Sequence, residues 1–389
     1  MKAASTGFAR MVLLVLVACL AASPADSAAA DAPDLTDVPR YEVDPFWPRL
    51  PLPNEWALGQ LAGVAVDAED NIWILQRPGT LYPWEKAAAA KPPVANCCVP
   101  APPVIQFDPS GKVLQAWGGP GDGYDWPTTE HGLYIDHEGN IWIGGSRTDY
   151  PGRPDDAPID GMVLKFTPDG ELLLQIGGAG PSKGSLDKTQ LGGAADVAVY
   201  PPTNEVFIAD GYGHNRVIVF DADTGEYKRM WGAYGKPPTD EQLSPYDPAA
   251  APPQQFRTVH CIGISTDGIV YVCDRDNNRI QVFDIDGKFL TEWFYRKDTL
   301  TGRGRGPGTT LDLAFSPDSE QRTMLVADAP NSEVLFVRRA DGEVIGSFGH
   351  FGNYAGQLNR LHQLAIDSNG NIYTAEATGK RIQKFVIRR

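Results

Sequence analysis

One short pattern occurs six times along the chain, and this repetition limits the possible folds more than any other feature. Each copy has an apolar strand, a turn containing Asp, Asn or Gly, and a second apolar strand. The first strands begin at Gly63, Gly132, Asp196, Ile262, Asp312 and Gln363. A single copy cannot bury its apolar faces alone, so the copies must pack side by side. The pattern predicts a repeat architecture made of β-strands.

The first five copies continue with a third strand, a tight turn and a fourth strand. Most of these turns contain Asp-Gly or Ser-Gly, which supplies the positive φ that hairpin turns require. The sixth copy stops after its third strand, Arg381 to Ile387. We predict that residues 40–47 supply its missing outer strand and close the ring without an exposed edge. The predicted fold is an all-β, six-bladed β-propeller spanning residues 40–389.

The N-terminus has the features of a secretory signal peptide over residues 1–30. Lys2 and Arg10 precede the apolar run Met11–Ala22, and a stretch of small residues follows. Residues 31–39 then form a linker. Cys19 ends a lipobox-like Leu-Val-Ala-Cys, whereas Ala28-Ala29-Ala30 offers an ordinary cleavage site, which we favour. The protein is expected to be exported, periplasmic or secreted, and the lipobox alternative would add a lipid anchor.

Charge and hydropathy limit the partners. The chain has 34 basic and 49 acidic residues and a net charge of −15, so its field repels phosphate backbones and anionic lipid surfaces. No later segment reads as a transmembrane helix, and the signal run is too short to span a bilayer stably. We therefore expect a small-molecule or peptide substrate rather than nucleic acid or a membrane span.

Four cysteines follow the signal segment. Cys97 and Cys98 lie in a Pro-rich loop, where a structural role is favoured over a reactive one. Cys261 and Cys273 lie on consecutive strands, roughly opposite one another across a turn. They form either a cross-strand disulfide or two buried thiols, because such bridges have demanding geometry.

Three histidines recur at one repeat position. Alignment of the six copies at the entry to the first strand places Ala62, His131, Ala195, His260, Leu311 and His362 at one equivalent position. A ring of six blades places the histidines of blades 2, 4 and 6 about 120° apart, facing the central channel. Three neutral imidazoles with an open position are a ligand set of catalytic zinc; the alternative is a polar channel lining without metal. The other histidines, His137, His214 and His350, lack this symmetry and are expected at the surface or in turns.

Charged residues also recur where the second strands end. Acidic residues there, followed by arginines, are interpreted as repeat architecture that joins neighbouring blades; they are Asp210, Asp274, Asp328 and Glu376, with Arg216, Arg279 and Arg381. Arg77 and Arg275 share a position that is otherwise Gly or Ala, so the repeat does not require them. They form either an anion clamp beside the metal or ordinary surface ion pairs.

The sequence resembles the NHL-repeat family over residues 40–389, through its strand pairs and Gly-rich segments such as Trp117-Gly-Gly-Pro-Gly. It is most similar to the branch containing peptidyl-α-hydroxyglycine α-amidating lyase. The segments Glu130-His131-Gly, Val259-His260-Cys and Leu361-His362-Gln match the zinc-binding motifs of that branch. The resemblance implies zinc on these histidines and catalytic roles for Arg77, Arg275 and Tyr212. The implied reaction cleaves the C–N bond of an N-acyl-α-hydroxyglycine to an amide and glyoxylate.

The chain departs from this branch at several positions. The structural calcium of the branch would use backbone carbonyls matching Val64 and Leu133 and an aspartate where this chain has Gln363, and a neutral amide binds Ca²⁺ less strongly. The disulfide cysteines of the branch have no counterparts, and the loops 78–103 and 145–161 differ. Two alternatives remain: a non-catalytic propeller that binds a protein or glycan, and a metal hydrolase or other lyase using the same three histidines.

Overall fold

The strands of the repeat are buried on both faces because each sheet is covered by a neighbouring sheet on either side. In the computed structural model, which describes Met1 and residues 33–146, 159–299 and 308–388, every residue of the second strand Ile72–Arg77 is buried. Fourth strands such as Phe289–Phe294 are partly exposed. This difference explains why inner strands have continuous apolar sequences whereas outer strands carry charged residues.

Six four-stranded antiparallel sheets form the blades, with their strands in consecutive order. Blades 1 to 3 comprise Gln60–Val66, Ile72–Arg77, Val104–Phe107 and Val113–Trp117; Glu130–Ile135, Ile141–Gly145, Asp160–Phe166 and Leu172–Ala179; and Asp196–Tyr200, Glu205–Asp210, Arg216–Asp221 and Tyr227–Trp231. Blades 4 to 6 comprise Val259–Ile264, Val270–Asp274, Arg279–Phe283 and Phe289–Phe294; Leu313–Phe315, Thr323–Asp328, Glu333–Arg338 and Val344–Phe348; and Leu361–Ile366, Ile372–Glu376, Arg381–Ile387 and Tyr41–Asp44. The predicted all-β, six-bladed propeller is confirmed.

The ring closes through the N-terminal strand. Tyr41–Asp44 pairs antiparallel with Arg381–Ile387 and becomes the outer strand of blade 6. The first strands of successive blades contact one another in order, including blade 6 with blade 1, so they surround the central channel. The prediction that residues from the N-terminus complete the last blade is confirmed, and the edge of blade 6 is covered.

The core is divided among the spaces between blades. Each neighbouring pair of blades shares one cluster of buried apolar side chains. Between blades 3 and 4, for example, the Trp231 ring lies 6.1 Å from that of Phe207 and 5.9 Å from that of Phe283. Leu35, within the predicted linker, is fully buried in the cluster between blades 5 and 6. Every blade therefore depends on both neighbours for burial.

The remaining regular elements are short. Trp56–Ala57 pairs in parallel with Val99–Pro100, and five 3₁₀ helices are described, at Pro53–Glu55, Pro78–Thr80, Pro83–Ala89, Ala233–Gly235 and Arg275–Asn277. In the described residues, no helix has the length and apolar character needed to cross a membrane. The predicted signal peptide and Cys19 lie outside those residues, as do parts of the loops 145–161 and 295–310.

Candidate metal centre

Three buried histidines meet at the channel. His131, His260 and His362 come from the first strands of blades 2, 4 and 6. Their ring centroids are 5.0 Å apart for His131–His260, 4.6 Å for His131–His362 and 5.3 Å for His260–His362. One ring nitrogen from each lies within 4.8 Å of the other two. The arrangement can bind a metal ion, since a single ion can lie between three nitrogens at this spacing.

β-Bulges lie where these histidines leave the strands. The pairing register shifts by one residue at His260 and at His362, and between His131 and Leu133. In blade 2, Gly132 has a φ of 62°. A bulge reorients a side chain without ending the strand. The histidines thus lie within the first strands, and not just before them as the repeat alignment suggested.

The surroundings favour neutral imidazoles. The Nδ1 atoms of His131 and His260 are each 2.7 Å from a carbonyl oxygen, that of Ala195 and that of Leu311 respectively. A carbonyl only accepts, so each Nδ1 donates and each Nε2 keeps its lone pair for a metal. Burial, the neighbouring imidazoles and nearby arginines hold the pKa of His131 well below its usual value, and burial is also the largest cause for the other two histidines.

Two buried nitrogens test whether these residues fit a metal. Within the described residues, His260 Nε2 and His362 Nδ1 are buried without a hydrogen-bond partner. An unsatisfied buried polar atom costs about 1–3 kcal/mol. A metal ion at the centre would satisfy His260 Nε2, the nitrogen left available by the Leu311 carbonyl. The donor set and this unsatisfied nitrogen fit a divalent metal that prefers nitrogen ligands.

Tyr212 lies beside the histidines. It follows the second strand of blade 3, and its backbone N–H donates to the Gly193 carbonyl at 3.2 Å. Its hydroxyl oxygen is 2.8 Å from His131 Nε2 and 3.4 Å from Arg275 Nη1. The phenol therefore lies between the candidate metal position and a guanidinium.

Arg77 and Arg275 approach the centre from blades 1 and 4. Buried Arg77 donates from Nε to the Glu130 carbonyl at 2.7 Å. Arg275 Nε lies 3.0 Å from the Asp276 carboxylate, and the same carboxylate accepts a hydrogen bond from Thr258 at 2.7 Å. The positive charge of Arg77 contributes to the lowered pKa of all three metal-site histidines. The structure thus brings together six predicted site residues: His131, His260, His362, Tyr212, Arg77 and Arg275.

Arg360 is a site residue that the sequence analysis missed. It lies two residues before His362, and its charge contributes to the lowered pKa of His260 and His362. The repeat alignment contained a usable signal, because the residues at that spacing before the other two histidines are Thr129 and Thr258. Among the three blades that carry these histidines, only blade 6 has a cation at this position.

The predicted calcium position lies around the first strands. Gln363 Oε1 accepts the backbone N–H of Val64 at 2.9 Å, linking blade 6 to blade 1. Asp196 and Asp312 make equivalent links, accepting the N–H groups of Ile262 at 3.0 Å and Leu364 at 2.8 Å. These three side chains thus join neighbouring blades by hydrogen bonds. Calcium on the Val64 and Leu133 carbonyls stays a prediction.

The remaining polar predictions have mixed outcomes. The acidic residues and arginines of the repeat form ion pairs within single blades rather than between neighbouring blades as predicted: Asp210–Arg216, Asp274–Arg279 and Glu376–Arg381. Asp328 of blade 5 instead pairs with Arg296, which follows the last strand of blade 4. Cys261 and Cys273 are directly paired and disulfide-bonded, and Cys97 is bonded to Cys98. His137 and His350 are exposed as predicted. His214 lies in the bend between two strands of blade 3, in line with the prediction of a turn, but its ring is buried between Asp210 and Ser182, at 2.8 and 2.7 Å.

The fold and site define a class of protein: a six-bladed β-propeller with a candidate trihistidine metal centre at its channel. The NHL repeat family model matches residues 256–283, within and just before blade 4. The propeller thus contains a segment that matches the NHL repeat. It is 26% identical to NHL repeat-containing protein 3 of Homo sapiens over 359 residues, covering 89% of this chain and 84% of that protein.

Other relatives are amidating enzymes. The chain is 24% identical to a probable peptidyl-alpha-hydroxyglycine alpha-amidating lyase of Caenorhabditis elegans, covering 84% of this chain and 82% of that protein. It is 30% identical to peptidyl-glycine alpha-amidating monooxygenase B of Xenopus laevis, covering 88% of this chain but 35% of that protein. The chain therefore spans about a third of the length of that monooxygenase.

Proposed function

We propose that the protein is an exported, zinc-dependent lyase that cleaves an N-acyl-α-hydroxyglycine to an amide and glyoxylate. The observation that carries this proposal is the meeting of three buried, neutral histidines with Tyr212 and two arginines at one end of the channel. The similarity to a probable peptidyl-alpha-hydroxyglycine alpha-amidating lyase supports the same reaction.

His131, His260 and His362 hold the zinc ion. When bound, zinc supplies a Lewis acid that makes a hydroxyl group more acidic. The histidine carbonyl partners, Ala195 and Leu311, orient two of the three rings so that the ligand nitrogens point to one centre. The imidazole rings therefore need little rearrangement when the metal binds.

The other site residues handle the proton and the negative charges. The Tyr212 oxygen, within reach of His131 and Arg275, takes the proton of the substrate hydroxyl. The hydroxyl oxygen then forms the carbonyl of glyoxylate, and the C–N bond breaks with its electron pair passing to nitrogen. That nitrogen takes up the proton that Tyr212 removed from the hydroxyl, so the amide leaves neutral and Tyr212 returns to its initial state. Arg77 and Arg275 bind the substrate carboxylate and stabilise charge on the leaving group.

Metal content and turnover of His260→Ala test the proposal together. The unsubstituted protein is expected to contain one zinc per chain and to release glyoxylate from α-hydroxyhippurate. His260→Ala should lose both. His137→Ala, the same substitution at an exposed histidine outside the site, is the matched control and should retain both.

Two results would separate the alternatives. A purified protein without metal, and without gain of stability when zinc is added, would contradict the proposal and favour a binding propeller. A zinc-containing protein that releases no glyoxylate from α-hydroxyglycine derivatives would retain the metal centre but contradict this reaction. It would favour a metal hydrolase or another lyase using the same histidines.

A further inference from the structure

Arg360 is a cation at the candidate site for which the proposed reaction has no use. Its side chain is exposed, whereas Arg77 is buried and Arg275 half-buried. Within residues 33–146, 159–299 and 308–388, no hydrogen bond or ion pair of the Arg360 guanidinium is described, although the chain has an excess of acidic residues. An arginine without a carboxylate partner next to a metal centre is available to bind an anion.

The backbone explains how Arg360 reaches the site. In blade 4, the N–H of Arg275 donates to the carbonyl of Thr258 at 2.9 Å. In blade 6, the equivalent bond joins the N–H of Ala377 to the carbonyl of Arg360 at 3.0 Å. In this hydrogen bond the arginine is the donor residue in blade 4 and the acceptor residue in blade 6. Arg275 follows a second strand and Arg360 precedes a first strand, so both lie at the end of their blades that carries His260 and His362.

The backbone places Arg360 close to the histidines. Arg360 lies two residues before His362, directly before the first strand of blade 6, Leu361–Ile366. Its own φ is 57°, a left-handed conformation that a non-glycine residue adopts at a cost.

The other two arginines already have protein partners. Arg77 is bound to the Glu130 carbonyl, and Arg275 faces the Asp276 carboxylate. Both are positioned for the part of a substrate that reaches the metal. Arg360, which is exposed and without a partner in the described residues, is positioned for a part that extends towards solvent.

We propose that Arg360 determines specificity by binding a second anionic group of the substrate, carried on its acyl portion. The inference rests on the proposed function, because Arg77 and Arg275 are taken to bind the carboxylate shared by all N-acyl-α-hydroxyglycines. The substrate class is then an N-acyl-α-hydroxyglycine with an acidic acyl group. A local cation is needed for such a dianion, since a net charge of −15 repels it.

Two unreactive analogues test this inference by calorimetry on the zinc-loaded protein. N-Succinylglycine carries a second carboxylate, and N-butyrylglycine is its neutral counterpart of similar length. The protein is expected to bind the succinyl compound about tenfold or more tightly at low salt, a typical effect of one charge-assisted contact. Arg360→Gln should remove this preference and leave binding of the butyryl compound within about twofold.

Controls distinguish charge from folding. Arg338→Gln, at an exposed arginine in a hairpin of blade 5, should leave the preference unchanged. Arg360→Lys should retain part of it, because lysine keeps the charge without the planar geometry. An absent preference in the unsubstituted protein, or equal weakening of both analogues in Arg360→Gln, would overturn the inference.

Turnover separates this inference from the proposed function. Glyoxylate release from N-succinyl-α-hydroxyglycine should fall in Arg360→Gln, while release from α-hydroxyhippurate should stay within about twofold. If neither compound is cleaved but the binding preference persists and depends on Arg360, the proposed reaction fails and the anion site stands. If both compounds are cleaved equally by protein and variant, the reaction stands and the role of Arg360 fails.

Discussion

Removing the buried guanidinium of Arg279 should destabilise the propeller strongly. Arg279 is fully buried, and its Nε lies 2.8 Å from the equally buried Asp274 carboxylate. Its other nitrogens bind the hydroxyl of Tyr234 at 2.8 Å and the carbonyls of Pro253 and Gln255 at 3.1 Å. Arg279→Met keeps much of the apolar volume but leaves a buried carboxylate without its cation. Breaking such a pair costs about 3–5 kcal/mol.

A matched control separates burial from charge. Arg338 pairs with Asp341 and Glu343, but its side chain is 43% exposed. Exposed ion pairs contribute about 0–1 kcal/mol, so Arg338→Met should change the free energy of unfolding by less than about 1 kcal/mol. Urea denaturation followed by tryptophan fluorescence, at fixed zinc concentration, measures both variants. A shift in midpoint without a change in slope would reflect stability alone.

The double variant Asp274→Asn/Arg279→Met tests whether the unpaired Asp274 carboxylate causes the loss of stability in Arg279→Met. If the cost arises from an uncompensated buried charge, removing that charge should recover stability relative to Arg279→Met. The asparagine can still accept the backbone N–H of Arg257, which Asp274 accepts at 2.8 Å. A double variant less stable than Arg279→Met would refute the reasoning, as would a loss below about 1 kcal/mol for Arg279→Met.

Two further predictions concern the site and the channel. Tyr212→Phe should retain bound zinc but release glyoxylate at least about 100-fold more slowly, because it removes the proposed base; an unchanged rate would contradict that role. Burial raises the pKa of Asp196 in the folded state, so the folded protein binds more protons than the unfolded one and stability falls as pH rises above the usual aspartate range. Asp196→Asn should therefore gain thermal stability relative to the unsubstituted protein at pH 8 but not at pH 4; equal differences at both values would contradict the assignment.

The repeat made the fold predictable from sequence. Six copies of a strand pair, with one copy missing its last strand, led to a closed ring completed by the N-terminus, and the structure has this arrangement. The same alignment selected His131, His260 and His362, because position in the repeat determines position around the axis. What it could not give was the register inside each strand. The bulges at His260 and His362 change pairing by one residue and leave little trace in the sequence.

Residues outside the repeated pattern were harder to interpret. The position of His214 in a turn gave no sign that its ring is buried, and only the fold shows that the buried Asp210 lies 2.8 Å from it. Arg360 had no motif around it, and its approach to the site depends on a hydrogen bond between two segments of blade 6. The burial of His214 and the position of Arg360 both depend on contacts that form only in the tertiary structure, and the local sequence does not indicate them.

The alternation of histidines has a physical explanation in the ring itself. His131 in blade 2 is oriented by the carbonyl of Ala195 in blade 3, and His260 in blade 4 by the carbonyl of Leu311 in blade 5. Ala195 and Leu311 occupy the same repeat position as the histidines. Blades 3 and 5, which have no histidine at this position, thus supply the acceptors for the histidines of blades 2 and 4, whereas His362 Nδ1 has no partner among the described residues. Since both acceptors are backbone carbonyls, the alternation leaves each of these two rings beside a carbonyl that fixes its tautomer with Nε2 free of hydrogen. The three alternating blades can thus present ring nitrogens to one metal ion.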